Sequence, residues 1–211
     1  MPPAIMPSHE FAARLSARLC HDILSPMSVL TAGLDFLAQA SEPAARAEAV
    51  DLLGAGVASL KRRLAFCRDA FGHGEAAMAA EALEERTREV FVDLRAQLDW
   101  AVTAPTLPGC AARALLNLAE IAGETLAAGG VARVSTPSSR GWVVVEIEAV
   151  SPRPRLRAEA LAGLLGEPPG PGPAGRWAQA YFVFAQVGSA GGAVSVDARE
   201  GAVVLTVSLP A

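Results

Sequence analysis

The sequence predicts an α+β chain in two parts, an N-terminal helical hairpin over residues 1–74 and a C-terminal α/β sandwich over residues 75–211. Three observations predict it. Apolar residues recur at steps of three and four from Leu15 to Leu37 and again from Val50 to Phe71, the spacing of a helix face. The stretch "FGHGE" at 71–75 then interrupts that pattern with Gly72 and Gly74. Beyond it, helical stretches alternate with short valine-rich runs, as in a mixed sheet whose strands are joined by helix crossovers.

In the first helix, Phe11 to Gln39, the residues Leu15, Leu19, Ile23, Met27, Leu30, Leu34 and Leu37 share one face. The connection "ASEP" is short, with Ser41 as a candidate N-cap and Pro43 in the first turn of the next helix. Val50, Leu53, Val57, Leu60, Leu64, Cys67 and Phe71 then alternate steps of three and four, the seam of a bundle. Each helix is about 40 Å long at 1.5 Å per residue. A lone hairpin cannot cover two stripes of that length, so the expected assembly is a homodimer in which two copies build a four-helix bundle.

In the second part the pattern predicts a helix over 80–96, a strand "LDWAV", and a helix over 111–126 stopped by Gly129 and Gly130. Strands follow at "VARVS" and "GWVVVEIEAV", then a helix near 156–165 and a flexible loop at "GEPPGPGPAG". A helix over 176–189 and a hairpin over 192–210 close the chain, with the helices on one face of the sheet.

Composition narrows the function. Of 211 residues 52% are hydrophobic, enough for a sizeable core, and the net charge of −4 gives the whole molecule no reason to seek nucleic acid or an anionic membrane. The apolar runs fall short of the roughly 20 residues of a membrane span. No leader pattern opens the sequence, so a cytoplasmic location is expected. Cys20, Cys67 and Cys110 are odd in number and lack metal-ligand spacing, so neither a disulfide nor a metal site is expected.

One stretch carries chemistry. In "RLCHDILSPMSVL" the apolar face of the first helix points one way and His21 points about 180° from it, into water. Arg14, Arg18, Ser25 and Ser28 share that outer face, with Ala17 and Leu24 at its edges, a small and basic surround suited to an acidic, concave partner. Asp22 either hydrogen-bonds one ring nitrogen or takes up its proton, and the other nitrogen is left free as a nucleophile. Pro26 removes a backbone donor and frees the Asp22 carbonyl. His73 sits between glycines with nothing near it to react, and His9 precedes the helix; both read as idle or structural. Trp100, Trp142 and Trp177 read as core or interface residues, and the run "RPRLR" as a solvated basic cluster or a further partner contact.

"HDILSP" resembles the H-box of dimeric histidine kinases, and it lies on the matching element, the first helix of a dimerising hairpin. The resemblance implies that His21 carries a phosphoryl group and that Asp22 assists as base. The second part resembles the ATP-binding domain of that family, with "ARALLNLAEIA" at the N-box and "AGGAVSV…GAVVLTVSLP" at the closing hairpin. The nucleotide elements depart from it. Ile121, one turn beyond Asn117, stands where an asparagine would hold Mg²⁺, and an apolar side chain cannot ligate a hard cation. The adenine-recognising glycine turn is replaced by "SPRPRLR", and the phosphate loop is reduced to "GPGPAGRW", whose prolines remove amide donors.

A dimeric H-box hairpin joined to a degenerate kinase-like domain resembles the ChpT-type histidine phosphotransferases of alphaproteobacteria, along nearly the whole chain. That resemblance implies a phosphorelay role: His21 takes a phosphoryl group from the receiver aspartate of a hybrid histidine kinase and passes it to response regulators. The receiver supplies Mg²⁺; this chain is expected to bind no cofactor, no metal and no ATP. Arg14, Arg18, Leu24, Ser25 and Ser28 are the expected receiver contacts. Two other readings stay open, an ATP-dependent histidine kinase and a dimeric scaffold that docks receiver domains without carrying phosphate.

Overall fold

A computed structural model describes residues 6–170 and 175–211. The loop expected at 166–175 therefore lies partly outside the described residues. Helix α1 (Ser8–Gln39) and helix α2 (Pro43–Phe71) form the hairpin. Pro43 opens α2 at the first helical position, where a missing N–H is harmless. That fixes the cap at Glu42, which makes no side-chain cap bond, so the expected Ser41 cap does not form. The two helices approach closely at glycines. Leu30 lies over Gly56 and Leu53 over Gly33, where an added Cβ would come within 2.8 and 2.9 Å of the leucine side chains.

This packing divides the apolar seam. Leu53 and Leu60 are half-buried, whereas Val50, Val57 and Leu64 on α2 and Met27 and Leu34 on α1, at steps of seven, stay exposed in the single chain. The far end of α2 is different. Phe66 and Ala70 are buried within the core of the C-terminal sandwich, and Asn117 Nδ2 donates to the Ala70 carbonyl at 2.9 Å. That bond satisfies one of the carbonyls a helix end leaves without a partner. Gly72 terminates the helix.

Along the rest of the chain run β1 (Met78–Ala79), α3 (Ala80–Phe91), β2 (Ala96–Ala101), β3 (Thr106–Leu107) and α4 (Gly109–Thr125). They are followed by β4 (Gly130–Ser135), β5 (Trp142–Val150), α5 (Ala158–Leu164), α6 (Gly175–Ser189), β6 (Ala193–Arg199) and β7 (Ala202–Pro210). The main sheet has the order β2-β4-β5-β7-β6, with β2 parallel to β4 and every other pair antiparallel. Alternate side chains face the helices and are buried: Ala132 and Val134, then Val145, Ile147 and Ala149, then Val203, Leu205, Val207 and Leu209. The opposite face carries cross-strand ion pairs, Asp99–Arg133 at 2.7 Å and Glu148–Arg199 at 3.0 Å.

The sandwich and its one-sided helices are those the sequence predicts, with local corrections. Helix α3 stops at Phe91 rather than near 96, because Asp93 and Leu94 donate to the Val90 and Phe91 carbonyls and tighten the chain into the turn that starts β2. The small β1–β3 pair has no periodicity to announce it and is absent from the sequence pattern. Trp142, expected in a core or interface, is exposed where β5 begins; Trp100 packs against the core and Trp177 is fully buried.

Candidate functional site

Helix α4 is buried on nearly every side, yet it carries a polar stripe, Arg113, Asn117, Glu120 and Glu124. At spacings of three and four these side chains share one face, and that face meets the hairpin. The approach is set by aromatic packing on α6. The Phe11 ring meets Tyr181 edge-on at 5.3 Å, and Tyr181 stacks on Trp177 at 4.6 Å. The side of α1 that bears Arg18 and Asp22 is thereby pressed against the α4 stripe.

A chain of charged bonds results. Arg18 Nε donates to Asp22 Oδ2 at 2.7 Å, and Arg63 Nη2 donates to the same oxygen. Arg63 Nη1 donates to Glu120 Oε1, while Gln179 Nε2 donates to Glu120 Oε2 at 2.6 Å and lies 3.3 Å from Asn117 Oδ1. Arg18 Nη2 lies 3.5 Å from Glu124 Oε1, and Arg176 Nε donates to Glu124 Oε2 at 2.8 Å. Three guanidiniums thus meet three carboxylates, so the cluster closes without net charge. The Arg63 guanidinium also lies over the Phe66 ring, 5.1 Å from its centroid.

This arrangement fixes the state of Asp22. Burial works to raise its carboxyl, but the Arg18 and Arg63 guanidiniums outweigh burial and hold it below the ordinary aspartate range. Burial likewise works to lower Arg63, and the carboxylates of Glu120 and Asp22 more than reverse that. Asp22 is therefore a fixed anion. Its second oxygen, Oδ1, faces His21 Nδ1 at 3.4 Å.

His21 lies about 60° round the helix from Arg18, at the margin of the docked face, and its side chain is 83% exposed. Two open concavities flank it. One, of about 670 Å³, is bordered by Arg14, Ala17, Arg18 and Arg176; the other, of about 460 Å³, by Ser25, Pro26, Arg62 and Asp93. Leu24 and Ser28 are exposed beside the histidine, and the Ser28 hydroxyl donates back to the Leu24 carbonyl at 3.0 Å. Arg14 and Ser25 thus border the concavities that His21 also lines, and Leu24 and Ser28 are exposed on the same helix.

Arg18 is a correction. Expected as an exposed partner contact, it is only 9% exposed and is engaged with Asp22 and Glu124, because its side of α1 is the side docked on the sandwich. Arg63 and Glu120 are the residues the sequence pattern does not single out. The available signal is the polar stripe on an otherwise apolar helix. Arg155 and Arg157, from the "RPRLR" run, border with Arg199 a third concavity of about 710 Å³ whose lining does not include His21.

A model of the histidine phosphotransferase C-terminal domain family matches residues 80–202. The chain is 28% identical over 131 residues to the protein phosphotransferase ChpT of Brucella abortus (strain 2308), an alignment covering 61% of this chain and 61% of that relative's length. Among solved structures it is similar to a bacterial phosphotransferase, with a TM-score of 0.84 and 23% identity over 97% of this chain and 98% of that one. It is also similar to the histidine kinase domain of the blue-light activated histidine kinase of Erythrobacter litoralis EL346, with a TM-score of 0.50 and 12% identity over 87% of this chain and 95% of that one. At these identities the structural likeness is one of fold.

Proposed function

The chain belongs to the histidine phosphotransferase family, and from that premise we propose that it relays a phosphoryl group through His21 between the receiver aspartate of a hybrid histidine kinase and response regulators. The observation that carries the reading is an exposed imidazole whose Nδ1 faces an anchored carboxylate. Such a ring offers its Nε2 as nucleophile, and transfer between an acyl phosphate and a histidine needs little from this chain beyond in-line presentation. Mg²⁺ belongs to the partner receiver. Arg14, Leu24, Ser25 and Ser28 are the contacts for that receiver. Arg18 serves the site from within instead.

Two further parts of the proposal have their own support. The apolar steps of seven at Val50, Val57 and Leu64, with Met27 and Leu34 beside them, fit a second copy of the hairpin and hence a homodimeric four-helix bundle built from residues 1–74. The domain over 75–211 is proposed to bind no ATP, since its polar groups do not fit a nucleotide-held Mg²⁺. The Asn117 amide is spent on the Ala70 and Arg113 carbonyls, and Ile121 is packed in the core. Among the described residues no helix is long and apolar enough to cross a membrane, which fits a cytoplasmic place of action.

The test is a transfer assay with a phospho-receiver donor, the wild-type chain, His21→Ala and an ATP-only control. Label on the wild type alone, and none from ATP, is the expected result. Absence of label with the donor would sink the phosphotransfer reading in favour of a scaffold; label from ATP alone would revive the kinase.

A further inference from the structure

We infer that Arg63 and Glu120 are positioning residues for His21: through Arg63, the C-terminal domain anchors Asp22 as a hydrogen-bond acceptor at Nδ1, which presents Nε2 as the nucleophile. The inference rests on the phosphotransfer reading and says how the second domain takes part in it.

Three observations lead there. Asp22 Oδ2 is saturated by two guanidinium donors, from Arg18 and Arg63, so Oδ1 is the oxygen left for the ring. A carboxylate held between guanidiniums has no proton to give and only accepts. A neutral imidazole facing it must then carry its hydrogen on Nδ1, which leaves the lone pair on Nε2. Finally, Arg63 is itself held from the C-terminal domain. Its Nη1 donates to Glu120 Oε1, whose other oxygen is fixed by Gln179 on α6, and its Nε is buried with no acceptor. Glu120 is thus the sandwich carboxylate that restrains Arg63, while Arg18, the other donor to Asp22, reaches Glu124 on the same helix.

The 3.4 Å separation of Nδ1 from Oδ1 is longer than an ordinary N–H···O bond. Catalytic hydrogen bonds are commonly long before a partner docks and tighten in the complex. The remaining charged groups that border the site are Arg14 on α1, Arg62 on α2, Glu89 and Asp93 on α3, Glu124 on α4 and Arg176 on α6. None of them bonds Asp22.

The chemistry balances without a proton acceptor. Nε2 attacks the phosphorus of an aspartyl phosphate, the N–P bond forms, the P–O bond breaks, and the partner's carboxylate leaves with the electron pair. The Nδ1 proton stays on the ring, so the product is a phosphoimidazolium paired with the Asp22 anion. Nothing has been lost from the ring, and the reverse step, onto another aspartate, needs no proton returned. Asp22 here orients and pairs with the ring rather than acting as the base that the kinase resemblance implies.

The test reads the ring directly. Full-length protein labelled with ¹⁵N-histidine, as wild type, Arg63→Gln and Glu120→Gln, is compared by long-range ¹H–¹⁵N spectra at about pH 8 for the His21 tautomer. It is then phosphorylated with phosphoramidate as a small chemical donor. The wild type should show the Nδ1–H form, and both variants a mixed ring with phosphorylation about tenfold slower, by analogy with the loss seen when the partner that orients a metal-ligating histidine is removed. Glu120→Gln keeps side-chain size but offers one acceptor oxygen where Arg63 and Gln179 use two, so it loosens the clamp and reports even where Arg63→Gln fails to fold. A wild-type ring protonated at Nε2, or variants with an unchanged tautomer, would overturn the inference. If wild type accepts nothing from a phospho-receiver while the tautomer still follows Arg63 and Glu120, the phosphotransfer reading fails and the positioning stands.

Discussion

The hairpin and the sandwich use similar aliphatic residues and treat them in opposite ways. In the sandwich Leu115, Leu116, Leu118, Val145, Ile147 and Leu205 are fully enclosed; in the hairpin Val50, Val57, Leu64 and Leu34 are each close to half exposed or more. One region completes its core within the chain, and the other leaves half of an apolar seam uncovered. The hairpin meets the sandwich partly through charge, Arg63 with Glu120 and Arg18 with Glu124, beside the apolar contacts of Phe11 and Phe66. Burial of apolar surface holds the sandwich together, and aromatic packing and ion pairs jointly seat the His21 helix on it.

Matched substitutions test that contrast, beginning with the most severe. Leu205→Ala, in the centre of β7, should cost about 4 kcal/mol in urea unfolding, because the cavity cannot collapse between sheet and helices. The smaller truncation Val57→Ala, at an exposed position, should cost the single chain under about 0.5 kcal/mol, and equal losses at the two positions would refute the comparison. Next comes Glu120→Ala, which leaves Arg63 half-paired between the two regions. A loss of about 3 kcal/mol is expected, the usual cost of breaking a buried ion pair by removing one partner. A change within 0.5 kcal/mol, as for an exposed pair, would show that the two regions are not held by this bond.

Gly163→Ala ranks third. An added Cβ there would come 2.6 Å from the Trp177 carbonyl and 2.7 Å from the Ala180 Cβ, so α5 and α6 must part, at a cost of about 2 kcal/mol by thermal unfolding. The mildest effect is acid sensitivity. Asp22 and Asp69 have folded values held below the ordinary 3.8, burial opposing and neighbouring arginines prevailing. Their contribution is complete above that value and drains away as pH falls through the lowered folded values. Arg63→Gln should flatten the acid limb of the stability curve, and an unchanged limb would mean that Asp22 gains nothing from Arg63 beyond what Arg18 supplies.

His21 and Asp22 are legible in the sequence because they are neighbours in it, and helical periodicity alone points the histidine outward. The sheet is legible for the same local reason, valine-rich runs bounded by glycine. Arg18 shows where such reasoning ends. Periodicity separates the apolar side of a helix from the rest, but whether the rest meets water or another polar surface depends on tertiary docking. Arg63 and Glu120 stand far apart in the chain and meet only because Phe11 packs on Tyr181 and Phe66 enters the sandwich core. Each ranks as an ordinary surface charge until those contacts form.

The paired glycines of the hairpin act as a gauge. Leu30 can seat over Gly56, and Leu53 over Gly33, in a single alignment of the two antiparallel helices. The same alignment sets Asp22 level with Arg63. Sliding one helix by a single turn, about 5.4 Å, would unseat both leucines and carry the carboxylate out of reach of its arginine. Two side chains absent from the middle of the hairpin thus set the height at which the histidine is offered to whatever approaches it.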